Sequence, residues 1–392
     1  MAGHASFASE TGSFVARFTS NGVLDPTFNG TGWALGPDTS WFDDGDYYGM
    51  ALQPDGKIVC AGVARPSIND PYSILVVRYL TDGLLYLSFG TGGVAIYAGD
   101  NISWYANDVV VTPTGAIRLC GQVDQDPEND FEYLVVGLQP NGALDPSFGG
   151  DGVVSFHPGD PNHDCEARAM ALQSDGRPVV AAEGRVDTTG YVTIWGFRLN
   201  ADGSLDTSFG EDGLVINYNE GTYALEVAIG PDDDVLLAGF GSIFGSCQDL
   251  VTMRLTADGQ TVAESVYECC EDESILAQGA WIQEDGKELA LAMNDVDCFI
   301  VRRLSDGSRD PSFGNGGVVS ITNIEIGYSG DDHTGGFWLE DDGRMLVCGR
   351  SGVVPGNGDD AIVMAFYPTA VGIQDAQAAP HLSVCPTPPR TG

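Results

Sequence analysis

The chain has 392 residues, of which 43% are hydrophobic and 19% charged, so it can bury a globular core and is not expected to be disordered throughout. Its 17 Lys and Arg residues stand against 56 Asp and Glu residues, and the formal net charge of -39 repels nucleic-acid phosphates and anionic lipid headgroups. We therefore expect no nucleic-acid partner and no membrane insertion, since no stretch reaches the roughly 18 apolar residues that a spanning helix needs.

The first residues resemble part of a repeat rather than a leader. Residues 1–12 have neither the basic region nor the apolar region of a secretory signal peptide. Ala2-Gly3 matches Ala61-Gly62, which belong to the repeat described next. We therefore expect the chain to start inside a repeat.

A first signature consists of an apolar run, a turn and a second apolar run, as in Ala51-Leu52-Gln53-Pro54-Asp55-Gly56-Lys57-Ile58-Val59. Six copies of the turn, at positions 56, 115, 176, 233, 286 and 343, lie 59, 61, 57, 53 and 57 residues apart. A period of about 57 residues that is kept along the chain indicates a repeat architecture.

A second signature follows each first one and ends in a Phe-Gly element, as in Asp145-Pro146-Ser147-Phe148-Gly149. We predict that this Phe packs beside its sheet, while Asp145 and Ser147 hold the loop through side-chain to backbone hydrogen bonds. An arginine recurs at one position of the preceding strand, which indicates support between neighbouring repeats. The copies are Arg17, Arg78, Arg198 and Arg254.

These two signatures resemble the delta-60 repeat family of bacterial repeat proteins. The similarity covers roughly residues 2–367, which is nearly the whole chain. The resemblance implies a β-propeller-like repeat protein, and the family has no common activity to transfer.

The fold can also be predicted without the family. Each period holds four β-rich segments, such as 48–53, 57–61, 74–80 and 94–97, joined by Asp-Gly or Asn-Gly turns that suit hairpins. Four antiparallel strands form one propeller blade, so we predict an all-β propeller. The strand count fits seven blades, or six with a surplus N-terminal strand. Residues 1–371 would form this single domain, and the Ala- and Pro-rich residues 372–392 a linker or tail.

Nine cysteines leave at least one thiol without an intramolecular partner. Cys60, Cys120 and Cys348 occupy the same position in three repeat copies, which predicts burial in the core. Cys247 and Cys298 precede corresponding strands and could form a disulfide; zinc binding is the alternative, although the ligand spacing typical of zinc is missing.

Ligands of propellers commonly bind to the loops that lead into the innermost strands, and we apply this by analogy. In this sequence those loops carry aromatic residues beside histidines and carboxylates, a mixture suited to sugar rings. The candidate ligand-binding residues are Trp41, Tyr47, Tyr48, Trp104, Tyr105, His157, His163, Asp164 and His333. The alternative is that the aromatic rings pack beneath their own loops.

One loop has the spacing of a calcium site. Its acidic residues alternate, so their oxygens could converge on Ca²⁺, and they are Asp124, Asp126, Glu128 and Asp130. Asn129 stands where an EF-hand has glycine, and Val135 where it has the closing glutamate. An acidic, solvated loop is therefore the alternative.

The histidines and acids do not form a coherent catalytic set. No GxSxG nucleophile elbow occurs, and His157, His163 and His333 could at most share a metal ion. We therefore expect a binding or interaction scaffold without chemistry of its own. Two alternatives stay open: a glycan-active hydrolase or lyase, perhaps assisted by a metal, and a structural module of an extracellular assembly.

The expected location is outside a bacterial cell, secreted or at the surface. Ser383-Val384-Cys385-Pro386-Thr387-Pro388 resembles the opening of the sorting domain that Bacteroidetes proteins carry for type IX secretion. A strongly acidic, hydrated surface suits salty or calcium-containing extracellular water. A glycan or an extracellular protein is then the expected partner, and the sequence leaves the oligomeric state open.

Overall fold

The computed structural model describes residues 1–7, 10–37, 44–99, 101–124, 131–158, 165–185, 193–219, 221–241, 248–267, 275–293, 298–321, 336–340, 343–351 and 360–366. Within these ranges the chain forms 26 strands and no helix, which confirms the all-β fold class. Accordingly, the described part of the chain contains no helix long and apolar enough to cross a membrane.

The strands form seven antiparallel sheets, numbered here as blades in chain order. Blade 1 contains β1 (Ala2–Phe7), β2 (Glu10–Ala16) and β3 (Trp33–Leu35). Blade 2 contains β4 (Asp44–Leu52), β5 (Ile58–Arg65), β6 (Ser73–Tyr79) and β7 (Val94–Tyr97). Blade 3 contains β8 (Trp104–Val111), β9 (Ile117–Asp124), β10 (Phe131–Leu138) and β11 (Val153–Phe156).

The same order of strands continues through the second half of the chain. Blade 4 contains β12 (Glu166–Leu172), β13 (Pro178–Arg185), β14 (Thr193–Arg198) and β15 (Leu214–Asn217). Blade 5 contains β16 (Thr222–Ile229), β17 (Val235–Gly241), β18 (Asp249–Leu255) and β19 (Thr261–Tyr267). Blade 6 contains β20 (Leu276–Ile282), β21 (Glu288–Met293), β22 (Cys298–Arg303) and β23 (Val318–Ile321). Blade 7 contains β24 (Gly336–Leu339), β25 (Met345–Ser351) and β26 (Asp360–Phe366).

The repeated turns form the first hairpin of each blade. Gly56 has a φ of 78°, and its amide donates to the Gln53 carbonyl at 2.8 Å. In blade 5 the same turn position is Asp233, which adopts a φ of 61°, because Asp tolerates the left-handed region better than most residues. The predicted hairpins are therefore confirmed even where the repeat has lost its glycine.

The blades are arranged radially. The first strands of blades 2 to 7, which are β4, β8, β12, β16, β20 and β24, form one edge of each sheet and adjoin one another from blade to blade around the axis. Six apolar clusters fill the spaces between successive blades. Between blades 2 and 3, for example, Val59 and Ile74 pack against Leu119 and Leu134. This is the predicted β-propeller.

The Phe of the Phe-Gly element is buried between blades, as predicted. Its five copies are at most 1% exposed, and they are Phe28, Phe89, Phe148, Phe209 and Phe313. Next to each ring lies an arginine, whose guanidinium carbon is 4.4 to 5.6 Å from the ring centroid. The predicted loop bonds also form, because Asp145 Oδ1 accepts from the Ser147 amide at 3.1 Å and from its hydroxyl at 2.6 Å.

The recurring arginines reach into the following blade. Arg17 donates to the Thr81 carbonyl, Arg78 to the Pro140 carbonyl and Arg198 to the Ala257 carbonyl. These three carbonyls occupy equivalent positions in successive blades. The predicted support between repeats is therefore confirmed.

Blade 3 obtains the same support from a different strand. Gly137 stands at the arginine position, and a Cβ there would lie 2.7 Å from the Phe148 ring. Arg118 on the paired strand takes over, with its guanidinium carbon 4.6 Å from that ring and Nη2 3.2 Å from Asp145 Oδ2.

The register of blade 1 confirms the match between its first residues and the second strand of the repeat. Ala2 pairs with Val15 in the way that Ala61 pairs with Val76, and Gly3 pairs with Phe14 as Gly62 pairs with Leu75. β1 is thus equivalent to β5. In the described residues, blade 1 has the second, third and fourth strands of the repeat, whereas blade 7 has the first, second and third.

The cysteine prediction is correct for burial but wrong for register. Cys60 and Cys120 are buried free thiols, and Cys348 is half-buried. Cys120 and Cys348 are equivalent, but Cys60 lies one residue earlier in the strand and therefore points to the opposite face, towards blade 1. The alignment of Lys57-Ile58-Val59-Cys60 was misplaced by one residue, because the turn glycines and not the apolar runs set the register. Cys247 and the side chain of Cys298 lie outside the described residues.

Candidate functional site

Two tyrosines precede the bulge in β4, and only one of them is accessible. Tyr47 is 3% exposed and packs between blades 1 and 2, with its hydroxyl 2.9 Å from that of Tyr79. Burial, followed by the neighbouring Tyr79, raises the Tyr47 pKa well above its ordinary value. Tyr48 is the extra residue of the bulge and is 39% exposed. Tyr47 therefore has the role of a packing residue, which was the alternative considered for these aromatic rings.

Trp104 and Tyr105 begin β8 and are both half-buried. The Trp104 amide donates to the Tyr72 carbonyl at 2.9 Å, and this bond anchors the start of β8 to blade 2. The Tyr105 ring lies 5.3 Å from the Tyr72 ring and 6.2 Å from the Phe131 ring. The Arg65 guanidinium carbon lies 4.7 Å from the Tyr72 centroid on the same end of the sheet.

Charged groups surround this aromatic set. Burial raises the Tyr105 pKa, and the charges of Asp124 and Glu166 raise it further, while Arg65 lowers it. Glu166 in turn pairs with Arg168, whose Nη2 lies 2.6 Å from Glu166 Oε2 and whose Nε lies 2.9 Å from Glu183 Oε1. Arg168 is the bulge residue of β12.

These side chains form one continuous surface across blades 2, 3 and 4, which we call the rim strip. All are half-buried, and all lie at the end of the blades where the first strand starts, the second ends and the third starts. The rim strip consists of Arg65, Tyr72, Tyr105, Asp124, Phe131, Glu166, Arg168 and Glu183. The sequence singled out Tyr105 and Asp124, and the fold supplies the other six.

His157 lies just beyond β11, with Nε2 3.4 Å from the Sγ of the buried Cys165. It thereby links the end of blade 3 to the start of blade 4. Its predicted companions His163, Asp164 and His333 lie outside the described residues, as does Trp41. Their convergence stays a prediction.

The calcium prediction also stays open. Asp124 ends β9 and contributes to the rim strip, whereas Asp126, Glu128 and Asp130 lie outside the described residues. In the described part of the chain, no three His, Cys, Asp or Glu side chains are grouped so that they could hold a metal ion.

Two carboxyl groups near the axis were not anticipated from the sequence. Asp108 and Glu226 directly follow the bulges of β8 and β16, and the equivalent residues in other blades are Gly49, Ala169 and Gly279. An acid at a repeat position otherwise occupied by Gly or Ala is the signal that could have revealed them. Glu226 is surrounded by protein yet keeps some accessible surface, as expected for a side chain facing a narrow axial space.

These two groups differ in their hydrogen bonds. Asp108 Oδ1 accepts from the Val109 amide at 2.7 Å, and Oδ2 from the Met170 amide of blade 4 at 2.9 Å. Burial nevertheless raises the Asp108 pKa to about 6. Burial, followed by the charge of Asp108, raises the Glu226 pKa to about 8. The pair therefore holds one proton over a broad range around neutral pH.

Three segments of the chain match a family model. The family is described as "Domain of unknown function (DUF5122) beta-propeller", and the matched residues are 2–28, 53–89 and 173–209. The match supports a β-propeller repeat family, in agreement with the observed fold. No curated protein is significantly similar to the sequence.

Solved structures with a similar arrangement include three with different titles. A protein of unknown function from Bacteroides caccae is 10% identical, with 80% of this chain and 92% of that chain covered and a TM-score of 0.37. A PQQ-bound aldose sugar dehydrogenase from Streptomyces coelicolor is 11% identical, with 91% and 99% covered and a TM-score of 0.44. A polysaccharide lyase described as an ulvan lyase is 9% identical, with 85% of each chain covered and a TM-score of 0.46.

Proposed function

We propose that this β-propeller is a non-catalytic binding scaffold, secreted or at the cell surface, and that its rim strip binds a hydroxylated ligand such as a glycan. One observation carries the proposal: Tyr105, with Tyr72 and Phe131, lies among carboxylates that other packing does not require. By contrast, the repeated Arg, Asp and Phe residues are used in contacts between blades.

The chemistry of the rim strip suits a sugar. Aromatic ring faces stack against the apolar face of a pyranose, and carboxylates such as Asp124 accept hydrogen bonds from hydroxyl groups. Arg65 and Arg168 supply donors at the two ends of the strip. Because all of these side chains are half-buried, little side-chain entropy would be lost when a ligand orders them.

The extracellular location and the calcium ion belong to the same proposal. The net charge of -39 supports an environment rich in salt or divalent cations. A Ca²⁺ ion near Asp124 would partly neutralise the acids at the edge of the rim strip.

A glycan array probed with the full chain, followed by calorimetric titration of the best ligand, tests the proposal. We expect saturable binding without product release. Tyr105→Ala should weaken the affinity at least about tenfold, which corresponds to about 1.4 kcal/mol. The matched control is Tyr218→Ala, because Tyr218 is 65% exposed in blade 5 and bonds to Glu211. Equal affinities of the two variants would contradict the proposal.

A catalytic alternative has one observation in its favour. Asp108 and Glu226 have raised and unequal pKa values, and one ionised and one protonated carboxyl group is what glycan cleavage by acid–base catalysis uses. This hydrolase or lyase requires turnover of a bound glycan that Glu226→Gln abolishes. Binding with no turnover by the unmodified chain would eliminate it.

A further inference from the structure

The ring contains one position at which no described strand lies. In blades 2 to 7 an innermost strand pairs with the second strand, as β4 does with β5. In blade 1 the second-strand equivalent is β1, which pairs with β2 on one side. Within the described ranges no strand pairs with its other edge, so the amides and carbonyls of that edge are available for a ladder.

One flank of this position is unusually apolar and exposed. On β4, Met50 is 41% exposed and Leu52 is 71% exposed. Their equivalents on other innermost strands are covered by the preceding blade: Val109, at the position of Met50, is 2% exposed, and Ile282, at the position of Leu52, is 5% exposed. Met50 and Leu52 therefore face the place of the innermost strand of blade 1.

The opposite flank shows the same feature. Trp338 on β24 is 58% exposed, with its ring 5.2 Å from that of Trp281. Trp281 occupies the equivalent position on β20 and packs against blade 7. By the same register Trp338 faces the blade that follows, which is blade 1, because Arg344 of blade 7 donates to the Ser20 carbonyl.

We propose that this position, bounded by β1, by Met50 with Leu52, and by Trp338, binds an extended β-strand supplied by a polypeptide segment outside the described residues. Its backbone pairs with β1, and its alternating apolar side chains contact Met50 and Leu52 on one face and Trp338 on the other. This adds a protein-binding surface that is independent of the rim strip.

The six filled positions define the chemistry of the occupant. Each innermost strand carries apolar side chains and is followed by a turn, and in four of the six a basic residue follows that turn: Lys57, Arg177, Lys287 and Arg344. Arg177 pairs with Asp206, and the residue equivalent to Asp206 in blade 1 is Asp25. A strand followed by a turn and a Lys or Arg, as in Met50-Ala51-Leu52-Gln53-Pro54-Asp55-Gly56-Lys57, therefore fits both the apolar flanks and the acidic chain.

A synthetic peptide with the sequence of residues 47–57 tests the proposal on the full chain. We expect saturable one-to-one binding by calorimetry and a change in Trp fluorescence that Trp338→Phe reduces. A control peptide with Asp at the positions of Met50 and Leu52 should not bind.

A matched pair of chain variants locates the binding. Leu52→Asp should weaken the peptide at least tenfold, whereas Leu87→Asp, at a residue 70% exposed in the loop after β6, should leave its affinity unchanged. Melting curves check that both variants fold, which their exposure favours. Absence of saturable binding, even if residues 367–392 already fill the position, or equal affinity of the two variants would overturn the proposal.

Discussion

Arg344 Nη1 lies 2.7 Å from the carbonyl oxygen of Ser20, which is 324 residues away in the chain. Ser20 is equivalent to Thr81, Pro140 and Ala257, whose carbonyls accept from the arginines of the preceding blades. The bond between blades 7 and 1 thus uses the same acceptor as the bonds within the ring, although its arginine comes from the second strand. It connects the two three-stranded blades.

We expect Arg344→Ala to lower the free energy of unfolding by about 1 to 3 kcal/mol, because a charged donor is lost between the two blades. Urea denaturation followed by tryptophan fluorescence measures this. Lys57→Ala is the control, since Lys57 follows the same turn but pairs with Asp55 in its own loop. A similar loss in both variants would show that the contact between blades 7 and 1 adds nothing.

Removing the acid of a buried ion pair should be more costly. Asp206 and Arg198 have side chains 7% and 3% exposed, with Nη2 and Oδ2 2.8 Å apart. Asp206→Ala leaves the guanidinium buried without this partner, so we expect a loss of about 3 to 5 kcal/mol. Asp202→Ala, in an exposed turn where Asp202 also bonds to a serine, should cost about 1 kcal/mol or less.

The same carboxylate predicts an acid limb of stability. Burial acts to raise the Asp206 pKa, but hydrogen bonds from Ser208 and the charge of Arg198 prevail and lower it to about 2. The folded form therefore binds fewer protons than the unfolded form between about pH 4 and pH 2, and its stabilising contribution is lost as the pH falls through this window. Asp206→Asn should flatten this part of a plot of unfolding free energy against pH, and an unchanged slope would contradict the assignment.

Glu226 predicts the opposite dependence on pH. Its folded pKa of about 8 lies above the ordinary 4.5, so the folded form binds the extra proton between these values. Stability should therefore be highest below about pH 4.5 as far as this group is concerned, and fall as the pH rises to 8.

Denaturation midpoints at about pH 5, 6.5 and 8 measure this effect. Glu226→Gln should remove the decline and stabilise the chain at the alkaline end by roughly 1 kcal/mol or more. The exposed Glu211, changed to Gln, is the control and should leave the profile as it is. A profile that Glu226→Gln does not alter would refute the axial placement of this charge.

Salt should stabilise the chain because its net charge of -39 is screened. Raising NaCl from about 20 to about 300 mM should increase the melting temperature by about 2–4 °C, equivalent to about 1 kcal/mol. An uncharged solute at equal osmolality is the control. A melting temperature insensitive both to NaCl and to Ca²⁺ would contradict this expectation.

Much of the fold could be read from the sequence because each repeat uses the same local chemistry. The turn glycines at 56, 115 and 176, and the buried Phe of each Phe-Gly element, act within one blade or between adjacent blades. The error at Cys60 arose where an apolar run had no internal marker of register. A one-residue displacement turns a side chain to the other face of a sheet, so this error also changed the neighbouring blade.

The candidate site was less predictable. Trp104 and Tyr105 were identified by their loop, but aromatic rings in such loops can either pack or remain accessible, and Tyr47 packs while Tyr48 does not. Arg168 and Glu183 carried no sequence signal, because one charged residue among many is unremarkable until a neighbour is known.

By itself, the sequence determined the all-β class, the four-stranded period, the turns, and the arginine contacts between repeats, since these depend on residues at a fixed spacing. Only the tertiary structure decided which side chains of different blades meet: Tyr105 with Tyr72, Asp108 with the Met170 amide, and Trp338 and Leu52 at the flanks of one open position. The physical reason is that burial and electrostatic coupling depend on distance in space, and in a ring of blades residues 60 to 300 positions apart become neighbours.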